Sequence, residues 1–288
     1  MSGPGSGPGH GGHAPTDLPA PLRPFAAEPG TSALFLDFDG TLSGIVADPR
    51  DARPLPGVPD LLADLAGRFA LVAVISGRPT AFLADVLGAP TGVTLAGLYG
   101  LERALHGDAY AHWAGVIDDV VDEARASAPP GVYVEPKGLT VTLHWRNAPD
   151  QRDWVVEFAE RQHAAHDLLV HPGRHERELR PPLAVDKGTV VRALAAEHAA
   201  GAATPSGRAD AGAVPLRRAA AFGDDIGDLP AFAALDELTD AAGRALDVVR
   251  IAAVDTESPP EVAAQAELTV HGATGAVALL RALADAAA

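Results

Sequence analysis

Two aspartates, Asp37 and Asp39, end an apolar run and are followed at once by Gly40. The run, residues 33–36, is continuously apolar, which predicts a parallel strand buried on both faces. The glycine then allows the backbone to turn sharply. Side chains two positions apart on an extended segment point the same way, so two like charges would share one small space. Because that arrangement is costly without a cation, a shared proton or a reaction, it indicates an active site.

A second predicted strand, residues 71–75, ends in Ser76, Gly77 and Arg78. A hydroxyl and backbone N–H groups at this strand end, where a helix begins, would suit an anion. Taken alone, a serine at this position would more often cap the helix. Ligands of open α/β sheets bind beyond the carboxyl ends of the strands, so these three residues are candidates for the same site as the aspartates.

A third strand end, after residues 219–222, carries Asp224, Asp225 and Asp228 beside a glycine. Acidic residues in a first helical turn ordinarily cap the helix, which is the structural alternative here. Lys187 opens another helix, although a helix N-terminus favours anions over cations. Carboxylates, a lysine and a serine at converging strand ends are the set needed for magnesium-assisted phosphoryl transfer through an aspartyl phosphate. Magnesium prefers such hard oxygen ligands.

The composition excludes several other kinds of site. The 288 residues contain no cysteine, which excludes disulfides, thiolate zinc sites and cysteine nucleophiles and fits a reducing compartment. The formal charge of −16 argues against a surface for nucleic acid or anionic membranes. No apolar run approaches the ~20 residues of a membrane span, and the N-terminus lacks the features of a signal peptide. We therefore expect a cytoplasmic protein that binds neither nucleic acid nor membrane.

The order of the predicted elements divides the chain. Residues 1–30 are rich in Gly, Pro and Ser and are expected to form a disordered tail. Strands and helices alternate over residues 31–109 and again over 181–288, which predicts a Rossmann-like α/β core with a parallel sheet. Residues 110–180 contain two helical stretches, a hairpin rich in β-branched and aromatic residues, and two further strands. We expect them to form a smaller α/β domain inserted into the core.

Four segments resemble the motifs of the haloacid dehalogenase superfamily of phosphatases. They are DFDGT at 37–41, Ser76, Lys187 and GDxxxD at 223–228, in matching order and spacing. An insertion between the second and third motifs is, in that superfamily, a type 2 cap, and this one resembles the α/β subtype. More narrowly, the chain resembles trehalose-6-phosphate phosphatases from about residue 31 to residue 285, through FLDFDGTL, VISGR, AGLYGLE, EPKGLTVTLHWR, ELRPP followed by VDKG, and GDD. It departs from that pattern at Tyr99, where histidine is common, and at Gly227 and Leu229, where threonine and glutamate are usual.

The resemblance implies a role for each matching residue. Asp37 would be the nucleophile and a magnesium ligand, Asp39 the general acid and base and a further member of the metal site, and Asp224 the third metal ligand. Ser76 and Lys187 would hold the transferring phosphoryl oxygens. Asp225 and Asp228 would support this site from behind. The substrate-binding residues would be Gly77, Arg78, Glu135, Lys137, Arg146 and Glu178.

These roles imply a magnesium-dependent phosphatase that hydrolyses trehalose 6-phosphate to trehalose and phosphate in trehalose biosynthesis. Two alternatives stay open: a phosphatase for another phosphorylated disaccharide or glycoside, such as sucrose phosphate or mannosyl phosphoglycerate, and a non-catalytic phosphosugar sensor. The polar positions of the cap also have a simpler explanation, a solvated sheet face with cross-strand ion pairs. A trehalose-6-phosphate synthase is implied as a pathway neighbour.

Overall fold

The computed structural model describes residues 18–46, 48–173, 175–201, 214–256 and 258–287. In this part of the chain ten strands form two sheets. The strands are β1 (Ser32–Leu36), β2 (Leu71–Ile75), β3 (Val93–Ala96), β4 (Tyr133–Pro136), β5 (Val141–His144), β6 (Leu169–Gly173), β7 (Glu176–Arg180), β8 (Arg218–Gly223), β9 (Asp247–Val254) and β10 (Leu268–His271). The α-helices are α1 (Arg23–Ala27), α2 (Val58–Arg68), α3 (Thr80–Leu87), α4 (Leu101–Ala104), α5 (Gly107–Ser127), α6 (Arg152–His166), α7 (Lys187–Ala199), α8 (Leu229–Leu235), α9 (Pro260–Ala264) and α10 (Gly272–Ala286).

Six of the strands form a parallel sheet in the order β10-β9-β8-β1-β2-β3. Strand β1 lies inside this sheet, between β8 and β2, and its side chains alternate between the two faces. Leu34 and Leu36 pack with apolar side chains of α2 and α10, whereas Ala33 and Phe35 pack with those of α7 and α8. Both faces of β1 are therefore buried, as the continuous apolar run predicts. Helices on both sides of a parallel sheet confirm the predicted α/β core.

The other four strands form an antiparallel sheet in the order β4-β5-β7-β6, and all four lie within residues 110–180. Alternate side chains of this sheet, among them Val134, Leu143 and Leu179, pack against Ile117 of α5 and Phe158 of α6. Successive side chains on a strand point to opposite faces, so the residues between these apolar positions face away from the small core. The second face is mostly polar, and it is the face that contributes to the site described below.

Helical turns occur within the segment that the sequence predicts to be disordered. Residues 20–31 form short helical turns, and Leu22 and Phe25 of this segment are 0% and 1% exposed. Both side chains join the apolar cluster on one face of the core sheet. The prediction of disorder is therefore wrong for residues 18–30, because a few well-placed apolar side chains are enough to anchor a Pro-rich segment. Residues 1–17 of the predicted tail lie outside the described residues.

Two short elements near the C-terminus, α9 and β10, are not predicted by the sequence pattern. Strand β10 has four residues that alternate between half-buried and exposed, which is the weak pattern of a short edge strand. Helix α5 begins at Gly107, so the predicted boundary at residue 110 falls inside it. Among the described helices, none combines the length and the apolar character that crossing a bilayer requires.

Candidate active site

The turn after β1 brings the first motif to the carboxyl edge of the core sheet. The Asp37 N–H donates to the Phe222 carbonyl of β8 at 3.0 Å, and Asp37 is 6% exposed. Gly40 then adopts a φ of 77°, a conformation that favours glycine. A Cβ atom on Gly40 would lie 2.1 Å from Asp224 Oδ2. Glycine is thus required both by the turn and by the close approach of the third acidic cluster.

Lys187 lies buried between two carboxylates. Its Nζ donates to Asp37 Oδ1 at 2.5 Å and to Asp228 Oδ1 at 2.6 Å. The lysine is the first residue of α7, and Asp186 caps that helix by accepting from the Thr189 N–H at 2.8 Å. Burial alone would lower the pKa of Lys187, but the charges of Asp228 and Asp37 outweigh it and raise the pKa well above its usual value. Lys187 is therefore a fixed cation beside Asp37.

Negative charge still exceeds positive charge at this edge of the sheet. Oxygens of Asp37, Asp224 and Asp228 lie within 4.8 Å of one another. Burial raises the pKa of Asp37 and of Asp224 well above the usual range, and repulsion from neighbouring carboxylates raises both further. A hard divalent cation would relieve this repulsion, since carboxylate oxygens are the ligands such cations prefer. The residues present therefore fit the metal that the sequence predicts.

Asp39 is held apart from this cluster of carboxylates. Its Oδ2 and Oδ1 accept from Nε and Nη2 of Arg78, each at 2.8 Å. The sequence predicts Asp37, Asp39 and Asp224 as metal ligands, whereas the carboxylate that the structure groups with Asp37 and Asp224 is that of Asp228. The difference arises because a guanidinium, and not the other carboxylates, holds the Asp39 side chain.

Two predicted site residues accept local hydrogen bonds from the backbone, but only Asp225 caps a helical turn. The N-cap of α3 is Pro79, so Ser76 does not cap that helix, which was the alternative for it. The Ser76 hydroxyl accepts from the Arg78 N–H at 3.1 Å, and its own hydrogen is thereby left to donate elsewhere. Asp225 Oδ1 accepts from the Gly227 N–H at 2.7 Å at the start of a short helical turn. Both residues also line the cavity described below, so a local hydrogen bond to the backbone does not exclude a place in the site.

The polar face of the antiparallel sheet carries a network of paired charges. Nε2 and Nδ1 of His144 lie 2.9 Å from Glu135 Oε2 and 3.0 Å from Glu176 Oε2. Lys137 Nζ lies 3.6 Å from both Glu135 and Glu178. Burial opposes the ionisation of Glu135, but the hydrogen bond to His144 and the charge of Lys137 outweigh it and lower the pKa of Glu135 to about 2. Each of the three glutamates on this face therefore lies beside Lys137 or His144.

A cavity of about 650 Å³ is lined on one side by loops at the carboxyl edge of the core sheet and on the other by the antiparallel sheet. Two contacts across it connect the walls. Arg78 Nη1 lies 3.6 Å from Glu135 Oε1, and the Arg50 guanidinium lies 5.1 Å from the centre of the Tyr133 ring. The predicted site residues that line the cavity are Asp37, Asp39, Ser76, Gly77, Arg78, Glu135, Lys137, Arg146, Lys187, Asp224 and Asp225.

Two predicted residues, Glu178 and Asp228, are not among the described residues that line this cavity. Glu178 is 6% exposed and accepts from the Thr140 hydroxyl at 2.9 Å. It lies behind Lys137, whereas Glu176, two positions earlier on the same strand face, reaches the cavity. The alternation of side chains along β7 predicts that both glutamates lie on one face of the sheet. It does not predict which of the two reaches the cavity.

Sequence reasoning does not assign Tyr133, His144 or Glu176 to the site, although all three line the cavity. A signal for them was present. Tyr133 pairs with His144, and His144 with Glu176, in one row across the sheet. Each therefore lies on the same face as Glu135, at the spacing of two that strand geometry predicts.

Comparison with known proteins identifies the family. A sequence model of the family described as trehalose-phosphatase matches residues 35–264. The chain is 37% identical over 225 residues to the trehalose-phosphate phosphatase of Mycobacterium avium (strain 104), and the match covers 70% of this chain and 51% of that protein. The chain thus spans about half the length of this relative.

Solved structures share the fold. The C-terminal domain of Candida albicans trehalose-6-phosphate phosphatase matches with a TM-score of 0.67 at 21% identity, covering 94% of this chain and 98% of that chain. A haloacid dehalogenase-like hydrolase from Bacteroides thetaiotaomicron matches with a TM-score of 0.52 at 14% identity, covering 87% and 98%. These likenesses confirm the predicted fold class. Because the family match runs from β1 to the end of α9, the chain belongs to the trehalose-phosphatase family.

Proposed function

We propose that this chain is a magnesium-dependent phosphatase that hydrolyses trehalose 6-phosphate to trehalose and phosphate through an aspartyl phosphate. One observation carries the proposal. The buried pair of Asp37 and Lys187 faces, across one cavity, a second wall that contains Glu135 and Lys137. A carboxylate beside a fixed cation suits phosphoryl transfer, and paired charges suit the hydroxyl groups of a sugar. Membership of the trehalose-phosphatase family supports the same substrate.

In the first step, the Asp37 oxygen that Lys187 does not hold forms a bond to phosphorus while the bond from phosphorus to the sugar oxygen breaks. Asp39, protonated on the oxygen that Arg78 releases, gives this proton to the leaving oxygen, because an alkoxide is a poor leaving group. The Ser76 hydroxyl and the Lys187 ammonium donate to the phosphoryl oxygens. In the second step a water attacks phosphorus, Asp39 takes the proton of that water, and the Asp37 carboxylate is released.

Asp39 must first be freed from Arg78, since both of its oxygens accept from the guanidinium. Arg78 has other partners at hand: it donates to the Pro49 carbonyl at 2.8 Å and lies 3.6 Å from Glu135. When a sugar phosphate enters, Arg78 can keep these contacts and turn one N–H toward the substrate. This movement would leave one Asp39 oxygen free for proton transfer, and it gives Arg78 the substrate-binding role expected from the sequence.

Magnesium would be held by the carboxylates at the edge of the core sheet. Asp228 already accepts from Lys187 and from the N–H groups of Asp224 and Asp225. We therefore assign Asp37 and Asp224 as direct ligands and Asp228 as the residue that orients Lys187. When bound, the ion neutralises charge on the phosphate and on the carboxylates around it.

The inserted domain, residues 110–180, would act as the cap that selects the sugar. Glu135, Lys137 and Arg146 line its side of the cavity, and Glu178 would hold Lys137 from behind. Hydrogen bonds to charged groups are stronger than neutral ones and impose geometry on a polyhydroxyl ligand. Closure of the cap over the ester would also exclude water from the reaction.

A phosphate-release screen tests the proposal. Trehalose 6-phosphate, sucrose phosphate, mannosyl phosphoglycerate and para-nitrophenyl phosphate are each incubated with the full chain, with and without magnesium. We expect kcat/KM for trehalose 6-phosphate to exceed that for each other ester by about a hundredfold or more, and only with magnesium. A preference for another ester rejects the substrate, and binding without release from any ester indicates a sensor. Asp119→Asn, an exposed change on α5, is the matched control for preparation effects. The expected synthase neighbour and the cytoplasmic location stay predictions.

A further inference from the structure

The segment after β3 contains a turn with an unusual backbone. Leu98, Tyr99 and Gly100 have φ values of 49°, 56° and 96°. Only the last of the three is a glycine, and the left-handed region is unfavourable for residues with a side chain. Strained backbone of this kind persists only where the surrounding structure fixes it, and it concentrates at functional sites. The contacts that fix this turn are therefore informative.

Three of these contacts tie the turn to the loop at residues 76–80. The N–H groups of Leu98 and Tyr99 donate to the carbonyls of Arg78 and Ser76, each at 2.9 Å. The N–H of Gly97 donates to the Thr80 hydroxyl, also at 2.9 Å. Leu98 itself is 1% exposed. The strained turn is thus fixed to the loop that the mechanism uses to bind the phosphoryl group.

The Tyr99 ring lies between two glycines of the catalytic edge. A Cβ atom on Gly77 would lie 2.6 Å from the Tyr99 hydroxyl oxygen, and one on Gly227 would lie 3.8 Å from Cε1 of the ring. A side chain at position 77 would collide with the phenol. The absence of a side chain there lets the hydroxyl come close to the backbone between Ser76 and Arg78.

Two cations lie near the ring of the same tyrosine. The Arg180 guanidinium lies 5.7 Å and Lys187 Nζ lies 6.0 Å from the ring centre. Contacts of this length with an aromatic face are attractive. Arg180 is the last residue of β7, where the chain leaves the antiparallel sheet, and Lys187 opens α7 of the core. The ring therefore lies near the cationic groups at both ends of residues 180–187, the segment that links the antiparallel sheet to α7.

The hydroxyl group of Tyr99 has no hydrogen-bond partner in the part of the chain that the structure describes, and the residue lines the cavity. Burial raises the pKa of this phenol well above 10, and nearby carboxylates, Glu178 first among them, raise it further. The group therefore keeps its proton at neutral pH and is a donor. An unpaired donor beside the phosphate-binding loop is suited to an anion in the cavity.

We propose that Tyr99 is a substrate-binding residue whose hydroxyl donates a hydrogen bond to the phosphoryl group of the bound ester, while its ring keeps Arg180 and Lys187 in place. The inference rests on the proposed function only in taking the substrate to be a phosphate monoester. It does not depend on which sugar the ester carries.

Tyr99→Phe removes the hydroxyl and keeps the ring, and Tyr110→Phe makes the same change on an exposed position of α5, outside the cavity. For both variants we would measure kcat/KM with trehalose 6-phosphate and with para-nitrophenyl phosphate, inhibition by inorganic phosphate, and the melting temperature. In Tyr99→Phe we expect kcat/KM for both esters to fall about tenfold and the inhibition constant of phosphate to rise by a similar factor, as for the loss of a hydrogen bond to a charged group. Tyr110→Phe should match the wild type.

An unchanged inhibition constant for phosphate in Tyr99→Phe would overturn the inference, because a purely structural tyrosine has no reason to affect phosphate affinity. A lower melting temperature with normal phosphate affinity would do the same. Failure of the proposed substrate is distinguishable: if trehalose 6-phosphate is not hydrolysed, para-nitrophenyl phosphate and inorganic phosphate still report on the hydroxyl.

Discussion

The cavity has a core wall, formed by the loops at the carboxyl edge of the parallel sheet, and a cap wall, formed by the antiparallel sheet. The pKa values of the carboxyl groups shift in opposite directions on the two walls. On the core wall, burial and mutual repulsion raise the pKa of Asp37 and of Asp224 well above the usual range, although Lys187 lies beside them. On the cap wall, burial also opposes ionisation, but hydrogen bonds to His144 lower the pKa of Glu135 to about 2 and lower that of Glu176 as well. Carboxylates are thus in excess on one wall and paired on the other.

This contrast indicates what each wall requires from a ligand. Around Asp37 and Asp224 the carboxylates outnumber Lys187, so the core wall gains most from a bound divalent cation. On the cap wall each of the three glutamates already lies beside Lys137 or His144, so this wall offers preorganised donors and acceptors to an uncharged sugar at little cost in desolvation. The division agrees with a phosphate ester whose charged end and sugar end lie against different walls.

The largest expected effect comes from the nucleophile on the core wall. Asp37→Asn should lower kcat by at least about a thousandfold for every ester, since an amide cannot form the acyl phosphate. The variant should fold, because Lys187 keeps Asp228 as a partner at 2.6 Å. Phosphate release and melting temperature would be measured beside Asp119→Asn. Substantial turnover by a folded Asp37→Asn protein would exclude the assigned mechanism.

A second test asks whether the core wall needs a cation at all. Magnesium at about a hundred times its dissociation constant should stabilise the fold by about 2.7 kcal/mol through linkage alone. Thermal unfolding of the chain, without substrate, would be followed during a magnesium titration at constant ionic strength. Asp224→Asn should remove most of the magnesium-dependent rise in melting temperature. Asp225→Asn, which alters the carboxylate that accepts from the Gly227 N–H, should keep that rise. Equal shifts in all three proteins would place the ion elsewhere.

The sequence predicts the core wall more completely than the cap wall, for a physical reason. Parallel strands end at one edge, so residues after three strands converge whatever their separation, and Lys187 meets Asp37 across 150 positions. Helix α2 (Val58–Arg68) is one of the helices expected from the alternating pattern of residues 31–109, and Gly57 and Pro59 mark its start. The pairing of Asp39 with Arg78 is harder to predict from the sequence, since it depends on the conformations that two flexible side chains adopt in the folded protein.

Cap residues are harder to predict because the position of an inserted domain is not a local property. Strand periodicity places Glu176 and Glu178 on one face, yet their exposure depends on where the cap rests against the core. The same holds for Arg50, which follows the first motif in the core and still reaches the Tyr133 ring of the cap at 5.1 Å. Because such contacts between the domains are not local, the sequence alone predicts fewer of the substrate-binding residues in the cap.

A third test separates the two walls by substrate. Glu135→Gln keeps the shape of the side chain but removes a charge that pairs with His144 and Lys137. We expect kcat/KM for trehalose 6-phosphate to fall about tenfold and that for para-nitrophenyl phosphate to change by less than about twofold, because only the former carries a sugar. Glu157→Gln, an exposed change on α6, is the matched control. Equal losses on both esters would remove Glu135 from the recognition of the sugar.

The smallest expected effect concerns the pH dependence of the cap wall. Burial opposes the protonation of His144, but hydrogen bonds to Glu135 and Glu176 outweigh it and raise its pKa above 6.5. A raised pKa in the folded state means that the protonated imidazole favours folding. Its contribution is complete below pH 6.5 and fades as the pH rises through the folded pKa. Glu135, with a pKa of about 2, stays ionised throughout this range and so does not mask the effect.

His144→Gln should therefore lower the melting temperature more at about pH 6 than at about pH 9, because the contribution of the protonated imidazole fades as the pH rises through its folded pKa. The matched control is His166→Gln at the end of α6, which lies outside the cavity and should show no such difference between the two pH values. A loss of stability in His144→Gln that is the same at both pH values would mean that the imidazole acts through packing against Tyr133, with ring centres 5.5 Å apart, and not through its charge. The low pKa of Glu135 would then depend on Lys137 of the cap and on Arg78 of the core, whose charges also lower it.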